Sequence, residues 1–189
     1  MQRLIAHISK FVELTEEDRE TILSLMQYQE VKKKEYLLRQ DAICNANYFI
    51  LKGVFRKYYI DEKGSEQIIH FGIDNWWITD YDSLDRRIPS QYFIQAVEHA
   101  EVAVLDWRVQ EELFAKIPAL ERYFRLILQR AYAASMQRIR YIYDFTGEER
   151  YYHFSSLYPE FLQRIPQYMV ASYLGFTPEF LSKIRAKKI

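Results

Sequence analysis

Between Glu30 and Asp106 the chain is cut into short runs rich in β-branched and aromatic residues, and its fold must accommodate them before anything else. The runs are Glu30–Leu37, Tyr48–Leu51, Val54–Ile60, Gln67–Phe71, Tyr92–Val97 and Val102–Asp106. Turn residues separate them, and Asp61-Glu62-Lys63-Gly64 offers a glycine for the positive-φ site of a hairpin. Most of this segment lacks a helical period. Short strands in such succession predict an antiparallel barrel or jelly roll.

Helical periodicity holds on either side. Residues 1–28 read as helical, with Thr15 as N-cap, Asp18 close to a capping-box position, and Ile22, Leu23, Leu25 and Met26 as the apolar stripe. Trp107–Ala115 reads as a short helix that Pro118 ends. Ala119–Phe145 then runs without Gly or Pro, a helix of roughly 40 Å at ~1.5 Å per residue. It carries two apolar stripes. One comprises Leu120, Phe124, Ile127, Ala131, Ala134 and Ile142; the other comprises Leu128, Tyr132, Met136, Ile139 and Tyr143. One stripe suffices for a domain face, so the second is assigned to a partner helix from another copy of the chain. Deep burial within a single subunit is the other reading of the same pattern. Thr146 and Glu149 have capping-box spacing and restart the helix towards Pro159.

The end of the chain, Ile165–Lys188, reads as two short helices broken by Gly175. Gln167–Leu174 is the first, and Gly175 falls where a helix end accepts positive φ. Thr177-Pro178-Glu179 opens the second with an N-cap hydroxyl, a proline at the first helical position and an acid in the first turn. Ala171 lies four residues before Gly175, Leu181 six after and Ile184 nine after. A small Ala171 lets the helices cross closely, while Leu181 and Ile184 point inward. The DNA-binding helix-turn-helix has this form, with its second helix in the major groove. An ordinary pair of helices with a solvated basic end is the bland alternative. Under the DNA-reading interpretation, Thr177, Pro178, Glu179, Ser182, Lys183, Arg185, Lys187 and Lys188 are the contact candidates. Lys183 would donate to a guanine edge and Glu179 would accept from a cytosine amino group. Glu179 equally suits the helix dipole.

Composition narrows the function classes. The chain has 189 residues and no net charge, so no overall field announces a nucleic-acid partner. The charges are nonetheless uneven: from Gln163 on there are Arg164, Lys183, Arg185, Lys187 and Lys188 against Glu179 alone, while Asp74, Asp80, Asp82 and Asp85 crowd the middle. The single Cys44 excludes an internal disulfide framework, an all-cysteine zinc site and a four-cysteine iron–sulfur cluster. His7, His70, His99 and His153 are scattered, so no metal site is expected. No phosphate-cradling glycine loop or nucleophile elbow occurs, so no catalytic residues are assigned and an enzyme is not expected. No apolar run approaches a membrane span and no leader is evident, which leads us to expect a cytoplasmic protein without a membrane partner.

The order helices, small β-barrel, long helix, helix-turn-helix, taken with Tyr48-Phe49-Ile50-Leu51-Lys52-Gly53 and Gly64-Ser65-Glu66-Gln67-Ile68-Ile69, resembles the Crp/Fnr superfamily of bacterial transcription regulators. The resemblance implies an α+β fold. Residues 1–118 would form a cyclic-nucleotide-binding-type β-roll (a double-stranded β-helix or jelly roll) with flanking helices. Residues 119–145 would form a dimerisation helix whose face is Leu128, Tyr132, Met136, Ile139 and Tyr143, and 146–189 a small all-α DNA reader. It implies a homodimer on double-stranded DNA. In nucleotide-binding members of that family the phosphate cassette carries Gly-Glu and, further on, Pro-Arg-Ser or Pro-Arg-Ala. Here Ile78 stands near the glycine position, Thr79 near the glutamate and Ser90 at the arginine. The effector-pocket candidates are Ile78, Thr79, Asp80, Ser90, Gln91 and Tyr92. A cyclic phosphate wants a guanidinium partner, and these residues supply none. The expectation is a regulator that does not answer cyclic AMP in the usual way, with no cofactor, or with another small-molecule effector. Family readers continue into a β-hairpin wing; this sequence stops at Ile189, so no wing is expected and dimerisation should matter more. The alternative is a ligand-sensing or protein-interaction β-roll whose helix-turn-helix no longer binds DNA.

Overall fold

The structure is a computed structural model that describes residues 1–187. Lys188, a contact candidate above, lies outside the described residues. By compactness the chain divides into two units: Met1–Lys57 with Phe71–Gln129, and Tyr58–His70 with the chain from Arg130 on.

Helices α1 (Gln2–Ile8) and α2 (Glu16–Leu25) precede the strands. Thr15 caps α2 as read: its hydroxyl accepts from the Asp18 N–H, and the Asp18 carboxylate accepts from the Thr15 N–H. The strands are β1 (Gln27–Val31), β2 (Tyr36–Leu38), β3 (Ala46–Lys52), β4 (Phe55–Ile60), β5 (Glu66–Gly72) and β6 (Trp77–Ile78). Helix α3 (Tyr81–Arg86) follows, then β7 (Phe93–Ala96) and β8 (Ala100–Asp106). They form two four-stranded sheets, ordered β1-β8-β3-β6 and β2-β7-β4-β5. β1 pairs with β8, β2 with β7, and β3 with both β6 and β8, each antiparallel. The jelly-roll expectation is met.

Alternation along β3 and β8 builds the core on both faces of one sheet. Tyr48 and Ile50 face inward with Val31, Phe55, Ile78, Ile94 and Val102, while Phe49 and Leu51 face outward with Ala103 and Leu105. The outward set is covered by Leu4, Ile5 and Ile22, by Leu113 of α4 (Trp107–Lys116), and by Leu120, Tyr123 and Phe124 of α5 (Ala119–Asp144). A strand covered on both sides reads as a continuous apolar run, which is why Tyr48–Leu51 stood out in the sequence. Gly53, just past it, has φ 116°, and a Cβ there would lie 2.4 Å from the Ala100 Cβ. Only glycine fits that corner.

Two parts of the reading are corrected. Glu30–Leu37 is not one strand but parts of two, β1 and β2, in different sheets, with Lys34 at φ 72° between them. The helical stretch 1–28 ends earlier, because Met26 is already extended and β1 starts at Gln27. Four of the five β1 residues are exposed, so β1 carries almost no hydrophobic alternation to read. Elements β6 and α3, of two and six residues, are too short to show a period in the sequence.

In the second unit, α6 (Gly147–Leu157), α7 (Pro159–Arg164), α8 (Gln167–Leu174) and α9 (Pro178–Ala186) follow α5. The capping box predicted at Thr146 and Glu149 is present. Phe154, Phe161, Ile165, Met169, Val170, Ala171, Leu181 and Ile184 are buried. Among the described residues no helix is long and apolar enough to cross a membrane.

Candidate functional site

Within the roll, the effector-pocket candidates gather around a residue the sequence reading missed. Ile78 joins the apolar core; Thr79, Asp80 and Ser90 are buried, Tyr92 is half-buried, and Gln91 is exposed. The Asp80 carboxylate is the centre of the group. Its Oδ1 accepts from Lys57 Nζ at 3.0 Å, and its Oδ2 accepts from the Ser90 hydroxyl at 2.6 Å. Ser90 Oγ in turn accepts from the Tyr92 N–H at 3.0 Å. Lys57 also donates to the Thr79 carbonyl at 3.3 Å, and its ammonium stands 4.3 Å from the centre of the Tyr92 ring. The side chains of Lys57 and Asp80 are only 13% and 5% exposed. Thr79 turns its hydroxyl away, donating to the Ala46 carbonyl at 2.9 Å, and Cys44 Sγ lies 3.3 Å from the Thr79 hydroxyl oxygen.

This cluster is internally balanced: one carboxylate, one ammonium and one hydroxyl, each bonded to another. Position 90, where the family resemblance calls for an anion-binding arginine, holds a serine bonded to an anion belonging to the chain itself. The neighbouring arginines are engaged elsewhere. Arg86 pairs with Asp82 at 3.3 Å, while Arg87 donates to the Cys44 carbonyl at 2.7 Å and lies over the Trp107 ring. The acidic run is therefore not one patch. Asp74 accepts from the Gly53 N–H, Asp82 is exposed, and Asp80 is buried with its cation. Lys57 could have been found by counting: Phe55 faces the inner core, and two residues on along β4 the same face recurs. A surface depression of about 280 Å³ lies elsewhere on the roll, between Tyr36, Leu38, Arg39, Ile43, Asn45 and Tyr48, and none of the candidates lines it.

In the second unit the predicted elbow is present. Gly175 adopts φ 76°, Ala171 and Val170 are fully buried, and Leu181 and Ile184 are nearly so. The Thr177 hydroxyl caps α9 by accepting from the Phe180 N–H at 3.2 Å, with Pro178 in the first turn. The inward residues leave Glu179, Ser182, Lys183 and Ala186 on the exposed face of α9. Arg185 and Lys187 are exposed as well, and Lys187 Nζ pairs with Glu148 of α6 at 3.1 Å. The Glu179 carboxylate accepts from its own backbone N–H and from the Thr177 hydroxyl, which hold its pKa below the ordinary glutamate value. Phe180 is another residue that spacing did not single out. It is 44% exposed yet packs on Phe176 and over Gly147, where a Cβ would fall 2.7 Å from its ring. No periodicity reveals such a contact, because it joins residues far apart in the chain.

The two stripes of α5 separate in the structure. Leu120 and Phe124 are buried and Ile127 is partly so, whereas Leu128, Tyr132, Met136, Ile139 and Tyr143 are all more than 40% exposed. Ala131, Ala134 and Ile142, assigned to the buried stripe, are exposed too. The first stripe thus covers the core only over its N-terminal part.

Comparison with known proteins agrees with this geometry. Residues 28–116 match the cyclic nucleotide-binding domain family. The chain is 24% identical over 165 residues to the anaerobic regulatory protein of Aggregatibacter actinomycetemcomitans, covering 82% of this chain and 63% of that one. It therefore spans under two thirds of the length of the curated relatives it matches. Among solved structures, FixK2 of Bradyrhizobium japonicum superposes with a TM-score of 0.70 at 15% identity, over 86% of this chain and 83% of that one. The c-di-GMP-responsive global regulator CLP of Xanthomonas campestris gives 0.75 at 11% identity, over 92% and 91%. These likenesses show a shared fold, and residues 28–116 are similar to the cyclic nucleotide-binding domain.

Proposed function

We propose that the chain is a DNA-binding transcription regulator, working in the cytoplasm as a homodimer that presents two copies of α9 to adjacent major grooves. The observation that carries this reading is the division of α9. Leu181 and Ile184 are buried, as is Ala171 of α8, while Ser182 and Lys183 are left exposed on the other side of α9. Footprinting on the DNA that flanks its own gene tests the reading. Protection at two half-sites one helical turn apart is expected, and replacing Lys183 with alanine should weaken it by about 1–3 kcal/mol. An undisturbed cleavage pattern at low salt would instead favour the other reading, a sensing or interaction module whose reader no longer engages DNA. One observation lends that reading weight: Glu179 serves its own helix cap and Lys187 is paired with Glu148, so two candidate contacts are already engaged.

The proposal extends to the effector. Asp80 supplies the negative charge that Lys57 and Ser90 would otherwise offer to a ligand phosphate, so the protein does not respond to cyclic AMP in the usual way. Calorimetric titration with cyclic AMP and with cyclic GMP should register no binding in the micromolar range. A micromolar affinity for either would end this part of the account.

A further inference from the structure

The first helix of the reader is fastened to its surroundings by side chains that no DNA-contact argument uses. Strand β5 is the last strand of its sheet, so its outer edge offers N–H and C=O groups without a strand partner. Ser172 of α8 serves as that partner. Its hydroxyl accepts from the Ile68 N–H at 2.9 Å and donates to the Glu66 carbonyl at 2.8 Å. One turn of β-ladder is thereby completed by a single side chain.

Arg138 of α5 adds a second fastening. One guanidinium nitrogen donates to the Ile69 carbonyl at 2.6 Å and the other to the Tyr173 carbonyl at 2.8 Å, while the group lies 4.0 Å from the centre of the Tyr173 ring. Tyr173 is in the last turn of α8, where carbonyls lack helical partners and attract cations. Arg150 of α6 completes the pattern by donating to the next carbonyl, Leu174, at 3.2 Å. The end of α8 and the Gly175 turn are thus gripped through Glu66, Ile68 and Ile69 of β5, Arg138 of α5 and Arg150 of α6, all of them residues of the second unit. Helix α9 follows directly and packs on α8, with its Leu181 and Ile184 buried.

We infer that Arg138 and Ser172 are positioning residues for DNA reading: they hold α8, and through it α9, in one pose before DNA arrives. The inference rests on the proposed regulator function. The fastenings leave Ser182 and Lys183 exposed, so the held pose is one that reads. A helix already ordered binds more tightly than one that must be ordered on binding. Loosening the clasp should therefore weaken binding.

Valine and threonine at position 172 have nearly the same shape and differ in the hydroxyl. Binding is measured by fluorescence anisotropy at low salt, on a duplex enriched from a random pool by the unmodified protein, together with hydrogen exchange at the Ile68 amide. Ser172→Val should exchange Ile68 faster and lose about tenfold in affinity. Ser172→Thr should keep both, at an unchanged thermal midpoint. Arg138→Lys, which has one nitrogen for two carbonyls, should behave as Ser172→Val does. If Ser172→Val frees the Ile68 amide yet binds as well as the unmodified chain, or better, the positioning role is refuted while the regulator reading stands. If the unmodified chain enriches no duplex, the regulator reading fails first and takes this one with it.

Discussion

Replacing Lys57 with methionine is expected to destabilise the protein by about 3–5 kcal/mol, because it strands the Asp80 carboxylate in the interior. Asp80 is 4% exposed as a residue and would keep only the Ser90 hydroxyl as a donor. Such a loss is a large fraction of the ~5–15 kcal/mol that holds a typical domain folded. The companion variant separates charge from packing. Asp80→Asn made together with Lys57→Met leaves no unpaired ion and should cost far less than Lys57→Met alone, since a buried pair replaced as a pair is often close to neutral. Urea unfolding with an unchanged m-value is the measurement. A single-variant loss under about 1 kcal/mol would mean the pair is solvated and weak, contrary to its burial. It would also remove the reason for regarding the anion seat as filled.

The second large effect is on assembly. Ile139→Glu should convert a dimer into a monomer and lower the affinity for a two-half-site duplex by roughly 10²–10⁴-fold, the usual advantage of linked binding. Tyr132 and Tyr143 are 67% and 83% exposed, and Met136 and Ile139 lie on the same stripe at 42% and 45%. Large side chains repeated every three or four residues on one exposed face have the spacing of a helix–helix seam. On a solitary helix, a charge at position 139 would shift stability by only about 0.5 kcal/mol. A large change therefore reports a partner. Sedimentation equilibrium gives the mass directly, and an unaltered mass with unaltered DNA affinity would contradict the seam.

Much of this fold was legible because its signals are local. Thr15 with Asp18 and Thr146 with Glu149 announce helix starts over four residues, and both capping boxes are present. Gly175 and the inward set Ala171, Leu181 and Ile184 mark the elbow by spacing alone. What stayed hidden depends on partners distant in sequence. β1 escaped because four of its residues face solvent and its one buried side chain, Val31, sets no period. The acidic run from Asp74 to Asp85 has the look of a patch, but Asp80 is drawn inside by Lys57, which lies 23 positions earlier on β4. The pocket candidates were placed by family resemblance, and that placement indicated what position 90 lacks without showing what stands in its stead. Ser172 and Arg138 carry no sequence signal at all, since their partners are backbone groups of β5 and α8.

The most direct measurement of the central claim is the salt dependence of DNA binding. The account predicts that the logarithm of the association constant falls steeply and linearly with the logarithm of salt concentration, about 0.9 per phosphate neutralised, with Lys183→Ala shallower by about one. A flat response, or no binding at low salt by a dimer of intact fold, would show that the exposed face of α9 is not a DNA reader.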